Sequence, residues 1–487
     1  VKLTETHNPL QNEALIDGFY FDLPDRQTIL DETAKLYAEV SGGKQPDIKS
    51  ARPSIRSADF WMRPFWRLSA EPVPPAVPLT AENGFFPAWK EDLDTEYSKF
   101  EAGTQQVNVA DFGAVGDGKT DSTAAFMKAI GNGGVTVRVP AGVFVVRGIT
   151  LPDNTRLIGA GKSETIIRLH RDAPKKQRLV ANSNSKKGNR RIAVEELTLD
   201  WNAERLPTEG RTNTWGTYSS CLTFANVTYG WVKNVGARNA GLHGFDVTSP
   251  LYNYAGDGQR AKRGSRYVWI DGASASGFGD DGITTHHSDH ILISRSHACN
   301  PSGRAHEAGR SNSNGIEIDD GSRDVWLVHN STSNCVGGIE IKAHSNSSAA
   351  ADVHIFGHLS VGDNRSFNFR HIGHHRDGDP VSQTAWNIKA QLLVSMGPVP
   401  TELYPSSTPR ALTVSAYRHV AVNRFCFVGE EHIDYGGEPA ASIQFKADYV
   451  GLANGWIEGF GTENGIAVPA LEKGAKCVLL TNIVETP

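Results

Sequence analysis

The 487-residue sequence has little sulfur, with five cysteines and three methionines. The cysteines stand apart at 221, 299, 335, 426 and 477, and none forms a C-x-x-C pair. An odd, scattered set argues against a disulfide framework or a zinc knuckle and predicts buried free thiols. No stretch approaches the ~18 consecutive apolar residues of a membrane-spanning helix, so no membrane partner is expected. Lysine and arginine total 49 against 54 aspartates and glutamates, a formal charge of -5. No global positive field recruits nucleic acid. No secretory-leader pattern is visible at the start. Glycine, by contrast, is plentiful at 49 residues, which predicts turn-rich, strand-rich architecture.

Two regions differ in pattern. Residues 1–104 are expected to form a helical and irregular extension, either covering the end of the main body or binding a partner. Within it, "DRQTILDETAKLYAEVSGG" predicts a helix with Ile29, Leu30, Ala34, Tyr37 and Val40 on one face and Gly42-Gly43 as its stop. "EPVPPAVP" (71–78) reads as a polyproline-like connector. Trp61, Trp66, Phe85, Phe86 and Trp89 are expected to pack on the main body.

Residues 105–487 read as short alternating strands divided by Gly, Asn, Asp and Ser, with one helical pattern at 122–134. Two units repeat loosely. One is "YVWIDGASAS", "HILISRSHAC", "DVWLVHNSTS" and "DVHIFGHLSV". The other is "GFDVTS" (244–249), "GITTHH" (282–287), "GIEIDD" (315–320), "GIEIKA" (338–343) and "FNFRH" (367–371). Repeats of about 20–40 residues whose apolar edges need the next copy predict stacked coils of parallel strands, an all-β right-handed parallel β-helix.

Alternation places Phe245, Ile283, Ile316, Ile339 and Phe367 inside, with Val247, Thr285, Ile318, Ile341 and Phe369 as a second inner column. Two polar columns are then expected to face solvent. One is Asp246, Thr284, Glu317, Glu340 and Asn368; the other is Thr248, His286, Asp319, Lys342 and Arg370. Coils sit ~4.8 Å apart, so like charges are stacked at a cost that surface solubility does not require. Asp280 and Asp281 stand at the entrance to one of these strands. Such a concentration of titratable groups points to an active site.

Residues 107–161, "VNVADFGAVGDGKTDSTAAFMKAIGNGGVTVRVPAGVFVVRGITLPDNTRLIGAG", closely resemble the opening of the pectate-lyase-like superfamily. That superfamily includes polygalacturonases, rhamnogalacturonases, polysaccharide lyases, mannuronan epimerases and phage tailspikes. "GDDGI" (279–283) resembles the GDDCI element of polygalacturonases, which implies that Asp280 and Asp281 are catalytic. Asp246 falls near that family's N-x-D aspartate, and "GGIEIK" (337–342) resembles its GxRIK element. Two departures stand out: "SNG" (313–315) replaces GHG, and Glu340 replaces the arginine. The resemblance implies a polysaccharide substrate and glycosidic hydrolysis, with inversion of configuration as the leading expectation and no cofactor. Asp246, Asp280, Asp281, Glu317, Asp319 and Glu340 are its catalytic candidates.

A second reading is β-elimination on a uronate polymer. "EIKAHS" and "NFRHIGHH" resemble the Lys/Arg pair of the chondroitinase-B and alginate-lyase family, which implies Lys342 and Arg370 as catalytic. Glu317, Asp319 and Glu340 beside them are the expected calcium ligands for this reading. An epimerase would use similar groups. A third is a glycan-binding tail or adhesin module without catalysis. His286, His344 and His371 are candidates for substrate binding or proton transfer. "HIGHH" (371–375) lacks metal-ligand spacing. The expected setting is extracellular, secreted or in a phage tail, as a monomer or homotrimer.

Overall fold

The computed structural model describes residues 1–42, 85–208, 210–214, 216–252, 259–461 and 465–486, and the backbone of 68–70. Trp61, Trp66 and the proline-rich 71–78 lie outside the described residues.

The DFGAxGDGxTD element is turn chemistry. Asp117 accepts the backbone N–H groups of Lys119 and Thr120 and the Thr120 hydroxyl. Asp121 accepts from Thr123 and pairs with Arg147. This sets the start of a helix at Thr123–Ile130, which ends at Gly131 with φ 53°. Phe126 and Ile130 are fully buried against the first coils, so this helix closes the end of the solenoid.

Beyond it the chain winds as stacked parallel strands. Long strands such as Asn189–Asp200, Val227–Arg238, Arg323–Ser333, Trp386–Met396, Arg418–Val428 and Asp448–Glu458 each turn a corner. Each holds two left-handed residues, one near its start (Arg191, Tyr229, Asp324, Asn387, His419 and Tyr449) and one in its middle (Glu196, Asn234, His329, Leu392, Arg424 and Asn454). Asparagine tolerates that conformation best, and Asn423, Asn454 and Asn482 add a side-chain amide ladder across coils.

A second wall contains eleven strands among the described residues. Five carry the repeat: β1 (Phe245–Thr248), β2 (Ile283–Thr285), β3 (Asn314–Ile318), β4 (Gly337–Ala343) and β5 (Arg365–His371). Their register matches the expected alignment, with Phe245, Ile283, Ile316, Ile339 and Phe367 in line and at 0% exposure. The expectation that the polar columns face solvent is corrected. Asp246, Glu317, Asp319 and Glu340 are each no more than 2% exposed. The side chains point outward from the coil, but loop residues 211–214, 216–217, 306–312 and 372–376 and Tyr404 rise around them. The columns also cover one another through ion pairs.

Among the described residues, the N-terminal region carries three α-helices, α1 (Asn12–Asp17), α2 (Arg26–Ser41) and α3 (Lys90–Ala102). They lie along the flank of the coil rather than over its end. The buried face of α2 is Ile29, Leu30, Thr33, Leu36 and Val40; Ala34 is exposed and Tyr37 half-buried, so the face is rotated from the one expected. Glu32 fixes that rotation by a paired bond to Arg424, while Asn423 reaches Thr33. Helix α3 has few apolar residues and was not expected; Phe100 stacks on Trp231 at 5.6 Å. Phe85 stacks on Phe356 at 5.0 Å, and Phe86 and Trp89 join that cluster. Four cysteines are buried, Cys477 is half-buried, and all five are free thiols.

The docking of α2 is testable. A Cβ on Gly451 would meet Leu36 and Val40 at 2.8 Å. Gly451→Val is therefore expected to lift α2 and speed protease cleavage between residues 20 and 42. Unchanged cleavage would mean that the helix shifts without leaving the coil.

Candidate active site

A cleft of about 620 Å³ opens over β1–β5. Its floor is lined by Asp280, Asp281, Glu317, Asp319, Lys342 and Arg370, together with His243, His286, His306 and His344. The alternation that buries one column of each strand aims the other into this cleft.

One carboxylate organises two histidines. Asp246, 1% exposed, lies 3.5 Å from Nδ1 of both His243 and His286. Burial opposes its charge, but the two rings outweigh that and hold its carboxyl below the usual range. His243 then presents Nε2 to Asp280 Oδ2 at 3.5 Å and Asp281 Oδ2 at 3.6 Å. His286 presents Nε2 to Asp319 Oδ2 at 3.8 Å. Burial works against protonation of both rings, yet the surrounding carboxylates raise both above an ordinary histidine.

Asp280 and Asp281 are held differently. His306 Nε2 donates to Asp280 Oδ1 at 2.6 Å. Burial opposes charge on Asp280, but His243 and His306 overcome it and keep the carboxyl ionised. Asp281 Oδ1 accepts from the Asn314 backbone at 3.1 Å and side chain at 3.0 Å. Burial, then the charges of Asp280 and Glu317, push Asp281 well above the carboxylate range. The two adjacent carboxyls are thus pushed in opposite directions.

The next coils resolve their charge internally. Lys342 Nζ reaches Glu317 Oε2 at 2.9 Å and Asp319 Oδ2 at 3.7 Å. Burial would lower its pKa, but Glu317, Asp319 and Asp281 raise it well above a free lysine. Burial and neighbouring Asp320 push Asp319 up to about 7. Asp320 binds His344 Nδ1 at 2.9 Å; against the effect of burial, Asp320 and Asp319 raise His344 to about 9. Glu340 is directed away from Glu317 and Asp319. It accepts from Arg370 Nε at 2.6 Å and Asn368 at 2.8 Å, with Arg365 at 3.7 Å. The expected calcium set of Glu317, Asp319 and Glu340 therefore does not converge; the group that joins Glu317 and Asp319 within ligand range is His286. His371 is fully buried and bonds Ser382 Oγ at 2.7 Å, fastening a loop outside the cleft lining.

The structure gathers Asp246, Asp280, Asp281, His286, Glu317, Asp319, Lys342, His344 and Arg370 around one cleft, and it separates Glu340 and His371 from the reacting space. Sequence reasoning missed His243, His306, Asn314 and Asp320. His243, Asp281 and Asn314 form one more column, visible once the alignment is extended one residue toward the N-terminus. His306 comes from a coil-connecting loop and carries no repeat signal.

Residues 106–340 match the family described as Rhamnogalacturonase A/epimerase, pectate lyase-like. The chain is 49% identical over 383 residues to the putative phage-related protein YobO of Bacillus subtilis, covering 78% of this chain and 47% of that protein. It is 41% identical over 382 residues to the preneck appendage protein of Bacillus phage PZA, covering 77% and 44%. The chain thus spans about half the length of the curated relatives it matches. The crystal structure of the bacteriophage phi29 gene product 12 N-terminal fragment aligns with a TM-score of 0.73 at 40% identity, covering 81% of this chain and 65% of that one. With the coil, its capping helix, the opening motif and these relatives in agreement, the chain belongs to the pectate-lyase-like superfamily of right-handed parallel β-helix proteins.

Proposed function

We propose that this chain is the polysaccharide-cleaving part of a virion appendage and that it hydrolyses a glycosidic bond in the cleft over β1–β5. The observation that carries this is the Asp280–Asp281 pair, set on the cleft floor with one oxygen of each carboxyl fastened and the other turned toward His243. Hydrolysis needs one group to protonate the leaving oxygen and another to take a proton from water. Asp281 is assigned the first role and Asp280 the second; their facing oxygens lie within 4.8 Å of one another, closer than the ~6.5–9.5 Å that inverting enzymes leave for a water, so the product's anomeric form decides the stereochemistry. The virion setting draws on the appendage proteins among the relatives.

Elimination has less support. Lys342 is clamped by Glu317 and held charged, so it cannot accept the proton next to a uronate carboxyl group. A pure binding module would favour aromatic platforms, and among the described lining residues the aromatic side chains besides histidine are Tyr252 and Tyr404.

The test is product chemistry on a panel of neutral and acidic polysaccharides, including Bacillus cell-wall polymers. Reducing ends should appear without the ultraviolet absorbance of an unsaturated uronate. Absorbance rising with the reducing ends would move the chemistry to elimination. Inversion is checked from the anomeric form of the first product.

A further inference from the structure

Two neighbouring coils present the same arrangement, a histidine Nε2 facing two carboxylates, with both Nδ1 atoms against the single carboxylate of Asp246. They balance their charge differently. At His286, Glu317 and Asp319, the ammonium group of Lys342 already occupies the acidic pocket at 2.9 Å from Glu317. At His243, Asp280 and Asp281, no lysine or arginine among the described residues makes an ion pair with either carboxylate.

His243 is 6% exposed, and its Nδ1 is buried without a hydrogen bond. Its Nε2 stands 3.5 and 3.6 Å from Asp280 Oδ2 and Asp281 Oδ2. Those separations are too long for hydrogen bonds. They fit ligands sharing one ion: bonds of ~2.1 Å to a tetrahedral centre put neighbouring ligand atoms about 3.4 Å apart. The other oxygen of each carboxyl is already fixed, Asp280 Oδ1 by His306 and Asp281 Oδ1 by Asn314. Asp246 backs the far side of the imidazole, as an outer carboxylate does behind a metal-bound histidine.

We infer that His243 Nε2, Asp280 Oδ2 and Asp281 Oδ2 form a binding site for one divalent transition ion of the zinc or manganese class, with its open position toward the cleft. An imidazole beside two carboxylates suits such ions, whereas calcium takes six to eight oxygen ligands. The site deepens the hydrolytic reading and rests on it only for its catalytic use. A bound ion would neutralise the facing carboxylates of Asp280 and Asp281 and would be held by the unprotonated Nε2 of His243. Such an ion would supply a Lewis acid able to polarise a water or the leaving oxygen at the cleft floor.

The whole chain is stripped with a chelator, dialysed, and titrated separately with Zn²⁺, Mn²⁺ and Ca²⁺, and bound metal is read by elemental analysis. One equivalent of Zn²⁺ or Mn²⁺ should bind, more tightly than Ca²⁺. His243→Gln should weaken affinity at least 100-fold and Asp246→Asn about 10–100-fold, while Asp319→Asn in the sister cluster should change it less than threefold. Should His243→Gln not fold, Asp280→Asn serves in its place. No stoichiometric binding of either ion at 1 mM, preference for Ca²⁺, or binding unchanged in His243→Gln or Asp280→Asn would each overturn the site. Binding without cleavage of any polymer leaves the ion site standing and removes the hydrolytic reading. Cleavage by protein that binds no ion does the reverse.

Discussion

Asp281→Asn is expected to lower polymer cleavage about 10²–10⁴-fold, the usual worth of a positioned proton-transfer group. The substitution keeps the shape of the side chain. Its carbonyl oxygen can still accept from both Asn314 donors, so folding should survive. What is lost is the ability to carry and release a proton, or to serve as a carboxylate ligand. Reducing-end release is the measurement, with circular dichroism and the thermal midpoint as folding controls. Activity within threefold of the parent, in a folded variant, would remove the Asp280–Asp281 pair from the chemistry.

Glu340→Ala is expected to destabilise the fold by about 3–5 kcal/mol, the cost of breaking a buried ion network from one side. Glu340 is fully buried and neutralises Arg370 and Arg365 while accepting from Asn368. Burial opposes its charge, but Arg370, Arg365 and Lys342 hold its carboxyl at about 2, so it is ionised throughout the neutral range. Burial already pulls Arg365 down to about 10 with Glu340 present. Chemical denaturation measures the loss. Glu340→Gln, which preserves the amide-compatible shape, separates structure from chemistry. It should keep at least a tenth of the parent's cleavage rate, and a drop beyond 10³-fold in a folded sample would return Glu340 to the reacting groups.

The contrast between these residues shows where the sequence is informative. Glu317 and Glu340 occupy the same column on successive coils, and by pattern alone they are equivalent. They differ because Arg365 and Arg370 arrive on β5 to claim Glu340, while Lys342 is drawn to Glu317. Side-chain reach across coils, more than column membership, sorts them. The α2 face shows the same limit. Helical periodicity identified Ile29, Leu30 and Val40 as buried, but the choice of Leu36 over Ala34 follows from where Arg424 and Gly451 lie on the flank.

The sequence by itself determined the coil. Period-two alternation within strands, a loose repeat between them and the Asp-rich turn before the capping helix are local signals, and each contact they imply joins a residue to its counterpart one coil away. That is why the register of β1–β5 could be aligned without a structure. The tertiary structure alone decided which polar groups meet. It brought His306 from a loop of unrelated sequence onto Asp280, placed Asp246 between two histidines, and buried a polar face beneath loops whose lengths follow no repeat. Loop paths depend on packing against distant coils, and no periodicity encodes them.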